Sequence, residues 1–121
     1  MSSHALIVGA GSGISAGVAR ALLAEGWSVA LASRTVHGKT IEGTGAATRH
    51  ICDATNASDV AALFTALEES GRTPDFVLFN ASARLRGPFL DLDPKAVEQA
   101  LLVSAYAGFL VAQEAARRMV Q

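Results

Sequence analysis

The stretch Ile7 to Gly17, IVGAGSGISAG, places glycines at 9, 11, 13 and 17 between an apolar run and a helical pattern. In a strand–loop–helix unit such glycines let the backbone approach a phosphate. The first turn of the helix adds free N–H groups and the positive end of its dipole. Three further groups fall at the ends of apolar runs: Ser33-Arg34-Thr35, Cys52-Asp53-Ala54 and Asn80-Ala81-Ser82. In an open parallel sheet the ligand lies beyond the carboxyl ends of the strands, so all four groups would meet at one edge. An acidic residue after the second strand would hold the ribose hydroxyls of NAD. An arginine among small hydroxyl residues suits the additional phosphate of NADP. The Asp53 carboxylate can accept a bond from an adenine amino group, and the small residues of Asn80-Ala81-Ser82 let a ribose approach. Each alone could be an ordinary turn or cap. Together at one edge they describe a site.

The spacing narrows the choice. G-x-G-x-x-G fails from Gly9, because Ile14 holds its last position, and from Gly11 it ends in Ala16 and starts too late after the strand. A G-x-x-x-G spacing at Gly9 and Gly13, followed by Ile14, fits better. The GKT at Gly38 to Thr40 is no phosphate loop of the Walker type, since that motif's first glycine would fall at Ser33 and IEGTG is a poor helix. A methyltransferase using S-adenosylmethionine also has a glycine loop after its first strand, but needs an acid where Arg34 stands. It is kept as an alternative.

These groups require strands alternating with helices. HALIVG is continuously apolar from Ala5 to Val8, as in a strand buried on both faces. Ile14, Val18 and Leu22 then fall four apart on one helical face, with Gly26 as the stop. WSVALAS (Trp27 to Ser33) is a second strand, and AATRHICDA supplies a third, ending near Asp53. Asn56 and Asp59 resemble a capping box opening a helix with Val60, Leu63, Phe64 and Leu67 buried and Gly71 at its end. Pro74 precedes DFVLFNA, a fourth strand. Asp93 and Pro94 make an N-cap and first position for a long helix. Thr35 to Ala47, with three glycines, leaves room for no more than a short helix.

At 121 residues, half of them apolar, the chain is expected to be one ordered domain. A net charge of −1 with no basic block argues against nucleic acid. Cys52 is the single cysteine, and His4, His37 and His50 are scattered, so neither a disulfide nor a metal site is expected. No basic segment precedes a long apolar one at the N-terminus, and no uninterrupted apolar run reaches the ~20 residues of a membrane span. The expectation is a cytoplasmic protein without membrane contact. From Ala100 to Ala112 the last helix is almost wholly apolar, more than one buried stripe requires. A helix from a second copy, or further chain, is expected to cover the excess.

VGAGSGI, ASRT, CDAT and FNASA, in this order and spacing, resemble the cofactor-binding half of a short-chain dehydrogenase/reductase, and LLVSAYAGFLVAQEAARRM resembles that family's fourth main helix. The resemblance runs from about Ala5 onward. It implies a Rossmann-type, doubly wound α/β sheet of four parallel strands in order 3-2-1-4, truncated before a fifth. It also implies NADP rather than NAD as cofactor, an unknown carbonyl or alcohol substrate, and homo-oligomers formed through the helix 94–119. By position it assigns Gly9, Ser12, Gly13 and Ile14 to the pyrophosphate, and Ser33, Arg34 and Thr35 to the adenosine phosphate. Asp53 and Ala54 fall at the adenine, and Asn80, Ala81 and Ser82 at the ribose.

Three departures stand against the family pattern. Ser15 replaces the third loop glycine and should crowd the approach of helix and strand. Asn80-Ala81-Ser82-Ala83 replaces Asn-Asn-Ala-Gly. Ser104 stands where the long helix carries an asparagine that holds a proton-relay water. The family's Tyr-x-x-x-Lys pair is also missing: Tyr106 is followed four residues later by Leu110, and the lysines are Lys39 and Lys95. The chain is therefore expected to be the N-terminal half of a longer enzyme and inactive alone. A non-catalytic NADP(H)-binding or oligomerisation module is the alternative.

Overall fold

The computed structural model describes residues 3–9, 13–34 and 43–121. Its sheet has the order β3-β2-β1-β4, from β1 (His4–Val8), β2 (Ser28–Ser33), β3 (Thr48–Ile51) and β4 (Phe76–Phe79), with every pairing parallel. This is the expected doubly wound order. Alternate residues of β1 explain the two layers. Leu6 and Val8 join a core with α2 (Ala57–Glu69) and α4 (Ala107–Met119), while Ala5 and Ile7 pack with α1 (Ile14–Ala24) on the opposite face. A strand covered twice has no polar face to spare, which is why its sequence is continuously apolar. Phe64 and Leu67 of α2 are fully buried, each stabilising the fold by roughly 1.5–3 kcal/mol.

The helix stops act as their chemistry requires. Gly26 takes φ 86°, and the Gly26 and Trp27 N–H groups donate to the Leu23 and Leu22 carbonyls. Gly71 ends α2 the same way, with Gly71 and Arg72 donating to Glu68 and Leu67. These paired bonds satisfy carbonyls that the helices leave open. Asp93 caps α3 (Pro94–Leu101) by accepting from the Lys95 N–H at 3.3 Å. The box at α2 is only half formed: Asn56 accepts from the Asp59 N–H, but the Asp59 carboxylate reaches past it to the Asp53 N–H.

The structure corrects or sharpens the sequence reading at particular places. Ile14 is 71 % exposed. Ser15, Ala16 and Ala19 form the buried stripe instead, with Val18, Leu22 and Leu23 at its border. β3 stops at Ile51, although the Cys52 N–H still donates to the Ser33 carbonyl. The long helix is not uniform: α3 and α4 are joined by a π-helical stretch, Leu102–Tyr106. By length and composition, the helix Pro94–Met119 is long and apolar enough to cross a membrane. Its residues Val103, Ala107, Leu110, Val111 and Ala115 are nevertheless buried within the fold. Between β2 and β3, residues 43–47 form turns, and the remainder of the expected short-helix region lies outside the described residues.

Candidate functional site

Three backbone bonds carry the sheet ladder one residue past its strands. The Gly9 N–H donates to Ala32, Asn80 to Val8, and Cys52 to Ser33, at 2.9–3.0 Å. The strand ends are thus level, and the residues after them are delivered to one edge. A cleft of about 410 Å³ opens there. Eight of the expected residues line it: Gly9, Ser33, Arg34, Asp53, Ala54, Asn80, Ala81 and Ser82. Gly13 and Ile14 do not; they lie at the start of α1, outside the lining. Ser12 and Thr35 lie outside the described residues.

Gly9 shows why glycine is required. It sits at φ 91°, and a Cβ there would lie 2.5 Å from the Ala81 nitrogen and 2.7 Å from the Asn80 carbonyl carbon. Only a bare backbone can lie this flat on the end of β4. Gly13 also has positive φ, 88°, but nothing lies within 4 Å of the corresponding Cβ position. It is the N-cap of α1 and supplies no capping side chain, and the first turn holds no acid. Among the described residues no side chain caps that helix end, whose N–H groups and dipole favour an anion.

Ser15 corrects an expectation. It does not force helix and strand apart; it is 1 % exposed and fully used. Its hydroxyl donates to the Gly9 carbonyl at 3.1 Å and accepts from the Asn80 side-chain amide at 3.0 Å. A small hydroxyl fits where a larger side chain would not. The signal was present in the sequence as a departure, but its partner stands 65 residues away.

Across the cleft, Asp53 Oδ1 accepts from the Thr55 hydroxyl at 2.7 Å and from the Thr55 N–H at 3.0 Å. The hydroxyl bond, then the N–H bond, hold the Asp53 carboxyl below the usual carboxylate range, with a smaller contribution from the Arg34 charge. Asp53 is therefore charged at neutral pH, with Oδ2 available to a donor. Cys52, the first residue of the third strand-end group, lines the same cleft. Burial, reinforced by Asp59 and Asp53, pushes its thiol up to about 11, so it is a neutral, apolar wall. Thr55, in the turn after Asp53, also lines the cleft, as do Val103 and Ala107, which escape sequence reasoning because helix residues reach it only through packing.

Ser104 is not in the lining. Its hydroxyl accepts from the Ala83 N–H at 3.1 Å and donates to the Ala83 carbonyl at 3.2 Å. It lies within the π-helical stretch, where the widened turn breaks the regular helical spacing. Its observed partner is thus the segment leaving β4. Among the described residues no group of three or more His, Cys, Asp or Glu could hold a metal.

A family model described as enoyl-(acyl carrier protein) reductase matches residues 9–121. Among curated proteins no sequence matches the chain. Solved structures do. A short-chain type dehydrogenase/reductase from Mycobacterium marinum superposes with TM-score 0.85 at 27% identity, covering 98% of this chain and 50% of its own. A Leptospira borgpetersenii short-chain dehydrogenase with bound NAD+ gives TM-score 0.83 at 19% identity, covering 98% and 46%. The ligand-free aldohexose dehydrogenase of Thermoplasma acidophilum gives 0.85 at 19% identity, covering 98% and 45%. The chain thus spans about half the length of the structures it matches. With the family match over nearly all its residues, this chain belongs to the short-chain dehydrogenase/reductase family of oxidoreductases.

Proposed function

We propose that the cleft binds a nicotinamide dinucleotide, NADP in preference to NAD, and that the chain is the cofactor-binding part of an oxidoreductase acting on a carbonyl or alcohol. The observation that carries this reading is the meeting of Gly9, Arg34, Asp53 and Asn80 around one cleft. Its volume lies within the range of small-ligand sites, and the adjoining α1 N-terminus carries no capping side chain. The residues fit the group. Gly9, Ser12, Gly13 and Ile14 would hold the pyrophosphate, with the first-turn N–H groups of α1. Ser33, Arg34 and Thr35 would take the 2′-phosphate, Asp53 and Ala54 the adenine, and Asn80, Ala81 and Ser82 the ribose. The bound group would supply or accept the hydride.

No described residue is placed as the proton donor of that reaction, and the chain offers no Tyr-x-x-x-Lys pair. Turnover would need a proton donor other than these 121 residues supply, so this polypeptide by itself is expected to bind cofactor and not to reduce a carbonyl. Calorimetric titration with NADPH and NADH tests the assignment, and Arg34→Asp tests its specificity. The arginine contributes a charge-assisted phosphate contact worth about 1.5–3 kcal/mol, so its reversal should weaken NADPH at least tenfold and spare NADH. Unchanged relative affinities would rule out Arg34 as the selector.

We also propose that copies pair through the helix 94–119. Tyr106 and Phe109 stack on its outer face with centroids 6.5 Å apart, and Leu101 is exposed beside α3's end. Exposed apolar side chains of this kind are costly to leave in water. We further propose a cytoplasmic location.

A further inference from the structure

We propose that Ser15 is the positioning residue of this cleft: its hydroxyl locks the first peptide of the glycine loop to the end of β4, and so fixes the start of the loop on which the ligand's phosphates would lie. The inference rests on the dinucleotide reading above. The Asn80 amide, the Ser15 hydroxyl and the Gly9 carbonyl form one chain of hydrogen bonds, 3.0 and 3.1 Å long, each donor polarising the next. Gly9 is pressed on the Asn80–Ala81 peptide at a distance no Cβ could share. Its N–H is already committed to Ala32 on β2. Ser15 therefore supplies the remaining constraint that joins β1, β4 and α1 at the edge of the sheet. The arrangement also orients Asn80: with one amide N–H donated to Ser15, its Oδ1 and its second N–H are left for a ligand hydroxyl.

Removing the hydroxyl has a defined cost. Alanine at 15, a position 1 % exposed, would leave the Gly9 carbonyl and the Asn80 amide facing a methyl group in place of their hydroxyl partner. Glycine would leave space that a water could occupy, bridging the same two groups.

The test compares the wild-type protein with Ser15→Ala and Ser15→Gly, titrating NADPH and adenosine 2′-monophosphate, which has the adenine and the 2′-phosphate but no pyrophosphate. Ser15→Ala should weaken NADPH about tenfold and leave adenosine 2′-monophosphate within about twofold. Ser15→Gly, which adds no atom to the site and should keep the fold, should fall between wild type and alanine for NADPH alone. Without ligand, amide hydrogen exchange of the 78–83 segment should rise in both variants. Equal loss for the two ligands would mean a general structural role and overturn the proposal, as would unchanged NADPH affinity or unchanged exchange. Failure of the wild type to bind either nucleotide would overturn the dinucleotide reading instead, and the exchange measurement would still report on the lock.

Discussion

Replacing Gly9 by alanine should damage this protein more than the same change at Gly13, although both glycines have φ near 90°, 91° and 88°. The two positions share one cost. An alanine held in such backbone conformations stores about 1–3 kcal/mol of strain. They differ in what the new methyl group meets. At Gly13 nothing lies within 4 Å, and the conformational cost stands alone. At Gly9 the methyl carbon would sit 2.5 to 2.8 Å from three backbone atoms of Asn80 and Ala81. None is the end of a flexible side chain, and Asn80 is tied to Val8 through its own N–H. The end of β4 must move, and such overpacking adds about 1–3 kcal/mol. Urea denaturation of the two variants and the wild type measures the difference directly. Gly9→Ala should be the less stable by about 1–3 kcal/mol, with its midpoint lowered and its slope unchanged. Titration with NADPH should show the larger loss at Gly9 as well, because the displaced peptide is a wall of the cleft. Equal stability of the two variants would refute the reasoning, since it would mean that the close approach of Gly9 to Ala81 carries no constraint.

The buried Cys52 thiol, pushed up to about 11 from 9.0, gives a pH dependence. Its ionisation is opposed only in the folded state, so its contribution is complete below pH 9 and is lost as pH rises from 9 to 11. Unfolding free energies measured over that window should fall more steeply for the wild type than for Cys52→Ala, and parallel curves would contradict the assignment. Phe109→Glu places a charge on the exposed outer face of the last helix and should shift the mass in multi-angle light scattering toward the monomer without a large stability loss. An unchanged mass would remove this face as the subunit contact.

Much of the architecture was legible in the residues themselves. The uninterrupted run Ala5–Val8 could only be a strand covered on both faces, and the glycines at 26 and 71 closed helices with the bonds their φ values allow. The alternation of those elements, with the glycine loop after the first, determined the α/β class. The strand-end residues Ser33, Arg34, Asp53 and Asn80 announced a site because short-range order places every strand end at a known point in the chain.

Contacts between distant residues were another matter. That Ser15 would be a bridge and not an obstruction depended on Asn80, 65 residues away, and on Gly9 lying flat against Ala81. Ile14 was assigned to the buried face by its spacing, yet periodicity says only which residues share a face, not which face the fold buries, and Ile14 is exposed. The same limit hid the π-helical stretch at Leu102–Tyr106, whose composition is that of an ordinary apolar helix. Val103 and Ala107 entered the cleft by packing alone. The sequence determined which elements form and which strand ends carry chemistry, because propensity, capping and turn geometry act over a few residues. Which side chains touch across the cleft was decided by the folded sheet, because level strand ends and a shared core bring together groups that no local pattern relates.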